Sequence, residues 1–223
     1  MKNVKRYLEI ARDSRSFTQK LVAWARNIES ICGDRLLNMK TGGSNLHYAH
    51  PIGVNKDGSD FEVCAHSTIL LAIKAIRLVP EDVVFVLGSG LGRAVCHFAR
   101  QHVRKVVGIE LETRLCESAR RNAETLRGRR AEIEIINTDA VLADMSEGSV
   151  FFMFNPFGEK TLRAVLKNIE QTHNVRVDPI TAIYCAPFFS HVFEEFPWLP
   201  VAKEYTRLSG MKTIIYRNEV NGP

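Results

Sequence analysis

Three glycines stand at alternate positions, Gly88, Gly90 and Gly92, directly behind the apolar run Val83-Val84-Phe85-Val86-Leu87. Glycine reaches backbone conformations that other residues avoid, and a loop without side chains lets a ligand approach the main chain and a following helix N-terminus. Behind the glycines, Val95, Phe98 and Ala99 fall at helical spacing. Strand, tight turn and helix in that order make a site for a nucleotide-type cofactor. Glu110 lies twenty residues beyond Gly90, at the end of a second apolar run, Val106-Val107-Gly108-Ile109. An acid there is placed to accept hydrogen bonds from ribose hydroxyls; a plain surface glutamate is the other reading. Asp139 follows a third run, Ile133–Ile136. It could accept from an adenine amino group or simply hold an Asx turn or helix cap. A fourth run, Ser149–Phe154, leads into Asn155-Pro156-Phe157-Gly158.

The elements that must position these residues follow from periodicity. Helical spacing marks Ser67–Arg77, Arg114–Arg127 (Leu115, Ala119, Ala123 and Leu126 inward) and a segment carrying Leu162, Val165, Leu166 and Ile169. Thr181–Cys185 reads as a fifth strand. Val201–Leu208 and Lys212–Arg217 read as two more, joined by a tight hairpin at Ser209-Gly210. Strands alternating with helices predict an α/β fold: a doubly wound, seven-stranded, mostly parallel sheet with a C-terminal antiparallel hairpin strand, plus N-terminal helices. Ligands in such a sheet sit beyond the carboxyl ends of the strands, where every candidate above lies.

Ahead of the sheet, residues 3–12 can form a short helix. A second starts near Ser16, where Ser16 and Gln19 match a capping box, and carries Phe17, Leu21, Trp24, Ile28 and Ile31 on one side, with Gly33 as its stop. Residues 40–60, rich in Gly, Asn, Ser and His, read as a lid, with hidden short strands as the other reading. His47 and His50 lack the partners of a metal site, and no metal is expected. The expected division is a helical cap and lid over 1–64 and a cofactor-binding domain over 65–223.

The 223 residues allow one full-sized core, and no apolar run approaches the ~20 residues of a membrane span. The N-terminus has positive charge but no apolar segment behind it, so no signal peptide is expected. Five scattered cysteines without a C-x-x-C pair point to a reducing cytoplasm rather than to disulfides or zinc. The net charge of +5, with arginines gathered between Arg114 and Arg130, leaves a nucleic-acid partner open beside the plainer reading of a solvated helix face.

The succession V-L-G-S-G-L-G-R (86–93), G-I-E-L-E (108–112), N-T-D-A (137–140) and F-M-F-N-P-F-G (152–158) resembles the class I S-adenosylmethionine-dependent methyltransferases over roughly residues 65 to 217. The resemblance implies S-adenosyl-L-methionine as cofactor. Gly88, Ser89, Gly90 and Gly92 would wrap its methionine part, Glu110 would take the ribose and Leu111 would flank the adenine. Asp139 and the Ala140 backbone would read the adenine edge, and Ser67 would approach the methionine carboxylate. Asn155, Pro156 and Phe157 would carry catalysis, with Asn155 also at the cofactor, because the segment resembles the Asn/Asp-Pro-Pro-aromatic motif of enzymes that methylate planar amino groups. N-methylation is thereby slightly favoured, with protein, RNA and small molecules all open as acceptors.

Two positions depart from the pattern. Val86 stands where the family usually carries an acid, so cofactor binding is weaker or another acceptor comes from the N-terminal region. Phe157 follows a single proline, one step early, so the segment is also compatible with a simple turn and a core Phe. The rival readings are a non-catalytic cofactor-binding module of the same fold and a nicotinamide-dependent oxidoreductase. The latter would want glycine where Arg93 stands.

Overall fold

The computed structural model describes residues 17–42, 63–175, 179–207 and 210–218. In chain order the elements are α1 (Phe17–Leu37), α2 (His66–Ala75), β1 (Val83–Leu87), α3 (Arg93–Phe98), β2 (Lys105–Glu110), α4 (Thr113–Thr125), β3 (Glu132–Asn137), β4 (Val150–Phe154), α5 (Glu159–Val175) and β5 (Thr181–Cys185). A 3-10 turn (Ser190–Glu195), β6 (Val201–Thr206) and β7 (Lys212–Arg217) complete them. The helix expected over 3–12, Ser16 of the capping box, the body of the lid with His47 and His50, and Ser209 of the hairpin lie outside the described residues.

Seven strands form one sheet in the order β3-β2-β1-β4-β5-β7-β6. The first five are parallel; β7 runs antiparallel to β5, and β6 antiparallel to β7. Strands buried on both faces need apolar residues at every position, which is why Val83–Leu87 and Thr181–Cys185 are buried throughout. One face packs Ile69, Val95, Phe98, Cys116 and Ala119 of α2, α3 and α4 over Val86, Val106 and Phe152. The other packs Leu162, Val165, Leu166 and Ile169 of α5 over Phe151, Met153 and Tyr184. The hairpin turns through Gly210 at φ +81, a left-handed conformation that glycine adopts without strain. β6 carries a register shift between Val201 and Lys203.

Helix α1 departs from expectation twice. Trp24, Ile28 and Ile31 point outward: Trp24 is 61% exposed, Ile31 53% and Ile28 39%. Apart from Leu37, which joins the core, the buried side is held by polar groups at Ser30 and Asp34, because what they meet is polar. Arg93, buried behind the glycine run, donates to Ser30 Oγ (2.6 Å), to the Cys64 carbonyl (3.1 Å), to Thr41 Oγ1 and to Asp34 Oδ1 (3.4 Å). Asp34 also accepts from the Thr41 amide and hydroxyl (both 2.6 Å) and from the Gly42 amide (2.7 Å), and pairs with His66 Nε2 (3.1 Å). Burial alone would raise the Asp34 pKa, but the bonds from His66 and Thr41 and the Arg93 charge outweigh it and hold the carboxyl at about 2.

The second departure is Gly33, which does not stop the helix. It sits inside α1, and a Cβ there would lie 2.5 Å from the His66 ring. That ring cannot retreat, since its Nδ1 faces His97 Nε2 at 2.7 Å while Nε2 faces Asp34.

Two outcomes follow. Gly33→Ala gains about 1 kcal/mol in helix propensity but meets a fixed ring, and overpacking costs about 1–3 kcal/mol; the expected net result is a lower Tm in a thermal melt. His97, whose pKa burial and then the His66 charge push down from 6.5 to about 3, stays neutral when folded. The unfolded chain takes up that proton near pH 6.5 and the folded one does not, so stability falls as pH drops through 6.5, with this group contributing up to about 1.4 kcal/mol per pH unit. Denaturant unfolding between about pH 7 and pH 5 should show a shallower slope for His97→Gln than for the wild type.

Candidate functional site

The strand order reverses direction between β1 and β4, and the tips of those two strands open the crevice in which a doubly wound sheet receives its ligand. From β1 the chain passes through Gly88, Gly90 and Gly92 at φ +67, +54 and +82. The left-handed backbone at Gly88 brings the β1 tip against the segment after β4: a Cβ on Gly88 would stand 2.5 Å from Pro156 Cβ. At Gly92 the same addition would meet the Ala119 backbone of α4 at 3.2 Å. Two of the three glycines therefore serve close packing as well as conformation.

Glu110, at the tip of β2, turns its carboxylate onto this loop. Its Oε2 accepts from the Gly90 amide at 2.8 Å and its Oε1 from the Glu112 amide at 3.0 Å. Leu111 beside it is 41% exposed, an apolar surface at the mouth. Asn137, at the tip of β3, donates to the carbonyls of Glu110 (3.0 Å) and Leu111 (2.8 Å) and accepts from Thr113 Oγ1, which fixes the β2 tip against β3. Asp139 accepts from the Val141 amide at 2.9 Å, an Asx turn, and is half-buried; Ala140 is buried.

Ser89 faces the other way. Its amide donates to the Ile109 carbonyl, its carbonyl accepts from the Gly92 amide, and its hydroxyl is buried with no hydrogen-bond partner, 3.0 Å from where a Cβ on Gly108 would be. Its amide thus seats the loop on β2 and its carbonyl closes the turn. Ser67 lies apart from the loop, in the first turn of α2, where its amide donates to Glu29 Oε1 (2.6 Å) and its hydroxyl accepts from Arg207 Nη2 (2.7 Å).

Across the crevice, Asn155 takes a left-handed φ of 40, uncommon outside glycine, and its Oδ1 accepts from the Tyr184 hydroxyl at 2.9 Å. Tyr184 accepts in turn from the Phe189 amide at 3.4 Å, and burial pushes its pKa up to about 12, so it remains a neutral donor. Phe157 is half-buried and packs on the α5-side core. Beyond the β5 tip, Phe188 is 74% exposed.

Periodicity did not single out Tyr184, Arg93, Asp34 or Asn122. Tyr184 carried a signal, a phenol hydroxyl on a strand buried at every position, which needs a partner. Asn122 of α4 donates to the Leu91 carbonyl (2.8 Å) and trades bonds with Lys40, tying the glycine loop to the chain beyond α1. The arginines at 127, 129 and 130 lie between α4 and β3, at the amino end of the sheet and away from the tips that build the crevice. Among the described residues no three His, Cys, Asp or Glu gather to hold a metal, and no described helix is long and apolar enough to cross a membrane.

The crevice fits an adenosyl cofactor by its own chemistry. Each Glu110 oxygen takes one amide bond and keeps acceptor capacity for a diol, Leu111 offers an apolar surface, and the loop beside them is glycine at alternate positions. Arg93, where a dinucleotide fingerprint needs glycine, is buried in its own network.

No protein-family model matches the chain, and no curated protein does. Solved structures do. An RNA methyltransferase from Salinibacter ruber, solved with S-adenosyl-L-homocysteine, aligns with a TM-score of 0.56 at 20% identity over 73% of this chain and 97% of its own. Magnesium protoporphyrin IX methyltransferase from Synechocystis, solved with bound S-adenosylmethionine, gives 0.54 at 12% identity over 69% and 77%. A S-adenosylmethionine-dependent methyltransferase from Aquifex aeolicus gives 0.52 at 12% over 68% and 89%. With the sheet order, the hairpin and the glycine loop already in place, these likenesses settle the architecture: the chain has the class I S-adenosylmethionine-dependent methyltransferase fold.

Proposed function

We propose that the protein is an S-adenosylmethionine-dependent methyltransferase. The observation that carries this reading is the Glu110 carboxylate bonded to the Gly90 amide at the mouth of β1, with Asn155 following β4 on the other side of that strand, where Pro156 meets Gly88. Glu110 would hold the ribose hydroxyls, Leu111 would cover one side of the adenine, and the Gly88–Gly92 backbone would follow the methionine chain. Asp139 and Ala140 would meet the adenine edge, with the Asp139 oxygen not bonded to Val141 as the acceptor.

When bound, the sulfonium supplies an activated methyl group with a neutral thioether as its leaving group. The chain's own task is alignment and exclusion of water, effects that contribute about 7–11 kcal/mol in well-oriented reactions. Asn155 faces that task pre-set, its side chain held by Tyr184 and its backbone held left-handed. A neutral amine or amide needs only that its lone pair be positioned, which suits a neutral Asn155–Tyr184 pair, so N-methylation is the favoured outcome. Phe157 packs partly into the core, and the exposed ring at the neighbouring tip is Phe188; either would flank a planar acceptor.

Calorimetry with S-adenosylhomocysteine and with NAD tests the cofactor; binding of the first and not the second is expected. Glu110→Ala should weaken S-adenosylhomocysteine about tenfold or more, since charge-assisted bonds contribute about 1.5–3 kcal/mol. An unchanged Kd would move the ribose contact elsewhere. Radiolabelled methyl transfer to fractionated RNA, protein and metabolite pools should label one pool, whereas tight binding without transfer to any would leave a cofactor-binding module.

A further inference from the structure

Val86 occupies the strand position from which the resembled family offers a carboxylate, and it is 2% exposed in the core. An amino-acid zwitterion still has to be matched, because a charge removed from water without a partner is costly. The matching charges are found one layer out. Glu29 reaches from α1 to the Ser67 amide (2.6 Å), and Arg207, just past β6, reaches to the Ser67 hydroxyl (2.7 Å) and to Thr68 Oγ1. Each is bonded to Ser67 or its neighbour rather than to the other, and both are half-exposed. A carboxylate and a guanidinium thus stand on either side of one serine.

Topology puts that serine level with the crevice. α2 leads down to the amino end of β1, and its ten residues rise ~15 Å, close to the ~16 Å of the five-residue strand. Its first turn therefore lies level with the β1 tip. The register of β5 with β7 pairs Cys185 with Thr213, which sets the turn of the β6–β7 hairpin, and Arg207 with it, at the same end of the sheet. The Cys64 carbonyl, three residues before Ser67, is bonded to Arg93, the residue that follows Gly92.

Resting on the methyltransferase reading, we infer that Glu29 and Arg207 receive the α-ammonium and α-carboxylate of the cofactor's amino-acid end, in place of an acid on β1. Burial raises the pKa of Glu29, and the Ser67 bonds and the nearby Arg207 charge more than reverse it, so the group is an anion at neutral pH. Ser67 acts as the spacer that holds the two charges apart.

The test uses the full chain and two ligands that differ only in this part: S-adenosylhomocysteine, and 5′-methylthioadenosine, which keeps the nucleoside and thioether but has no amino-acid head. The wild type should prefer the first. Glu29→Gln and Arg207→Gln should each weaken S-adenosylhomocysteine about tenfold while changing methylthioadenosine by less than about twofold. Equal losses for both ligands would make Glu29 a mere cap for α2 and overturn the assignment, as would unchanged affinities. The wild type supplies a measurement that needs no substitution: decarboxylated S-adenosylmethionine, lacking only the carboxylate, should bind about tenfold more weakly than S-adenosylmethionine, and equal binding would overturn the Arg207 contact. Failure of the wild type to bind either nucleoside would sink the methyltransferase reading, and this one with it, whereas binding without discrimination sinks this one alone.

Discussion

A guanidinium buried beside a carboxylate governs much of this molecule. Arg93 follows the glycine run immediately, on a helix whose every residue is buried, and cannot reach water. A charge in that position must be paired and hydrogen-bonded, and removing one partner of such a pair typically costs about 3–5 kcal/mol. Asp34 is the partner, and its remaining capacity is filled by Thr41, Gly42 and His66. Through these bonds α1, the chain beyond it and the first turn of α2 are fixed to the start of α3. The glycine loop, bare of side chains at Gly88, Gly90 and Gly92, is held at both ends: by β1 on one side and by this network on the other.

The crevice itself depends on a contact between neighbouring tips. Gly88 allows Pro156 to close upon β1, and the chain after β4 then carries Asn155 in a left-handed conformation with Tyr184 reaching across from β5. Glu110 and Asn137 organise the other half, one by bonding the loop amide, the other by clamping the β2 tip. The residues proposed for adenosyl contact and those proposed for acceptor alignment thereby fall on opposite sides of β1, which is what a reversal in strand order at that point provides.

Strands buried on both faces were legible from composition, since Val83–Leu87 is apolar throughout and Thr181–Cys185 carries only the Thr181 and Tyr184 hydroxyls, and the residues at their ends were legible with them. The facing of α1 was not. Its apolar spacing at Trp24, Ile28 and Ile31 suggests the inward side, but the decision rests with Arg93 and His66, which are remote in sequence and attract Asp34 and Ser30 instead. Gly33 misleads for the same reason, because the His66 ring that requires a glycine there is supplied by another helix. At the site, a carboxylate's position at a strand end could be read, but its direction could not: Glu110 turns to the loop, whereas Asp139 commits one oxygen to its own turn. Ser89 shows the limit most plainly, since its place in the loop was evident and its burial under the loop was not.

The two outer strands have a further consequence. β3 presents Glu132 and Glu134 to solvent, with Lys105 reaching to Glu134 at 2.7 Å, while β6 presents Lys203 and Glu204 beside the register shift, with Lys212 at 2.8 Å from Glu204. Unpaired strand borders template the addition of further chains, and charge or an irregular ladder discourages it. Both lateral margins of this seven-stranded layer are guarded in that way, so the ribbon is finite by construction and copies of the molecule gain little by joining edge to edge.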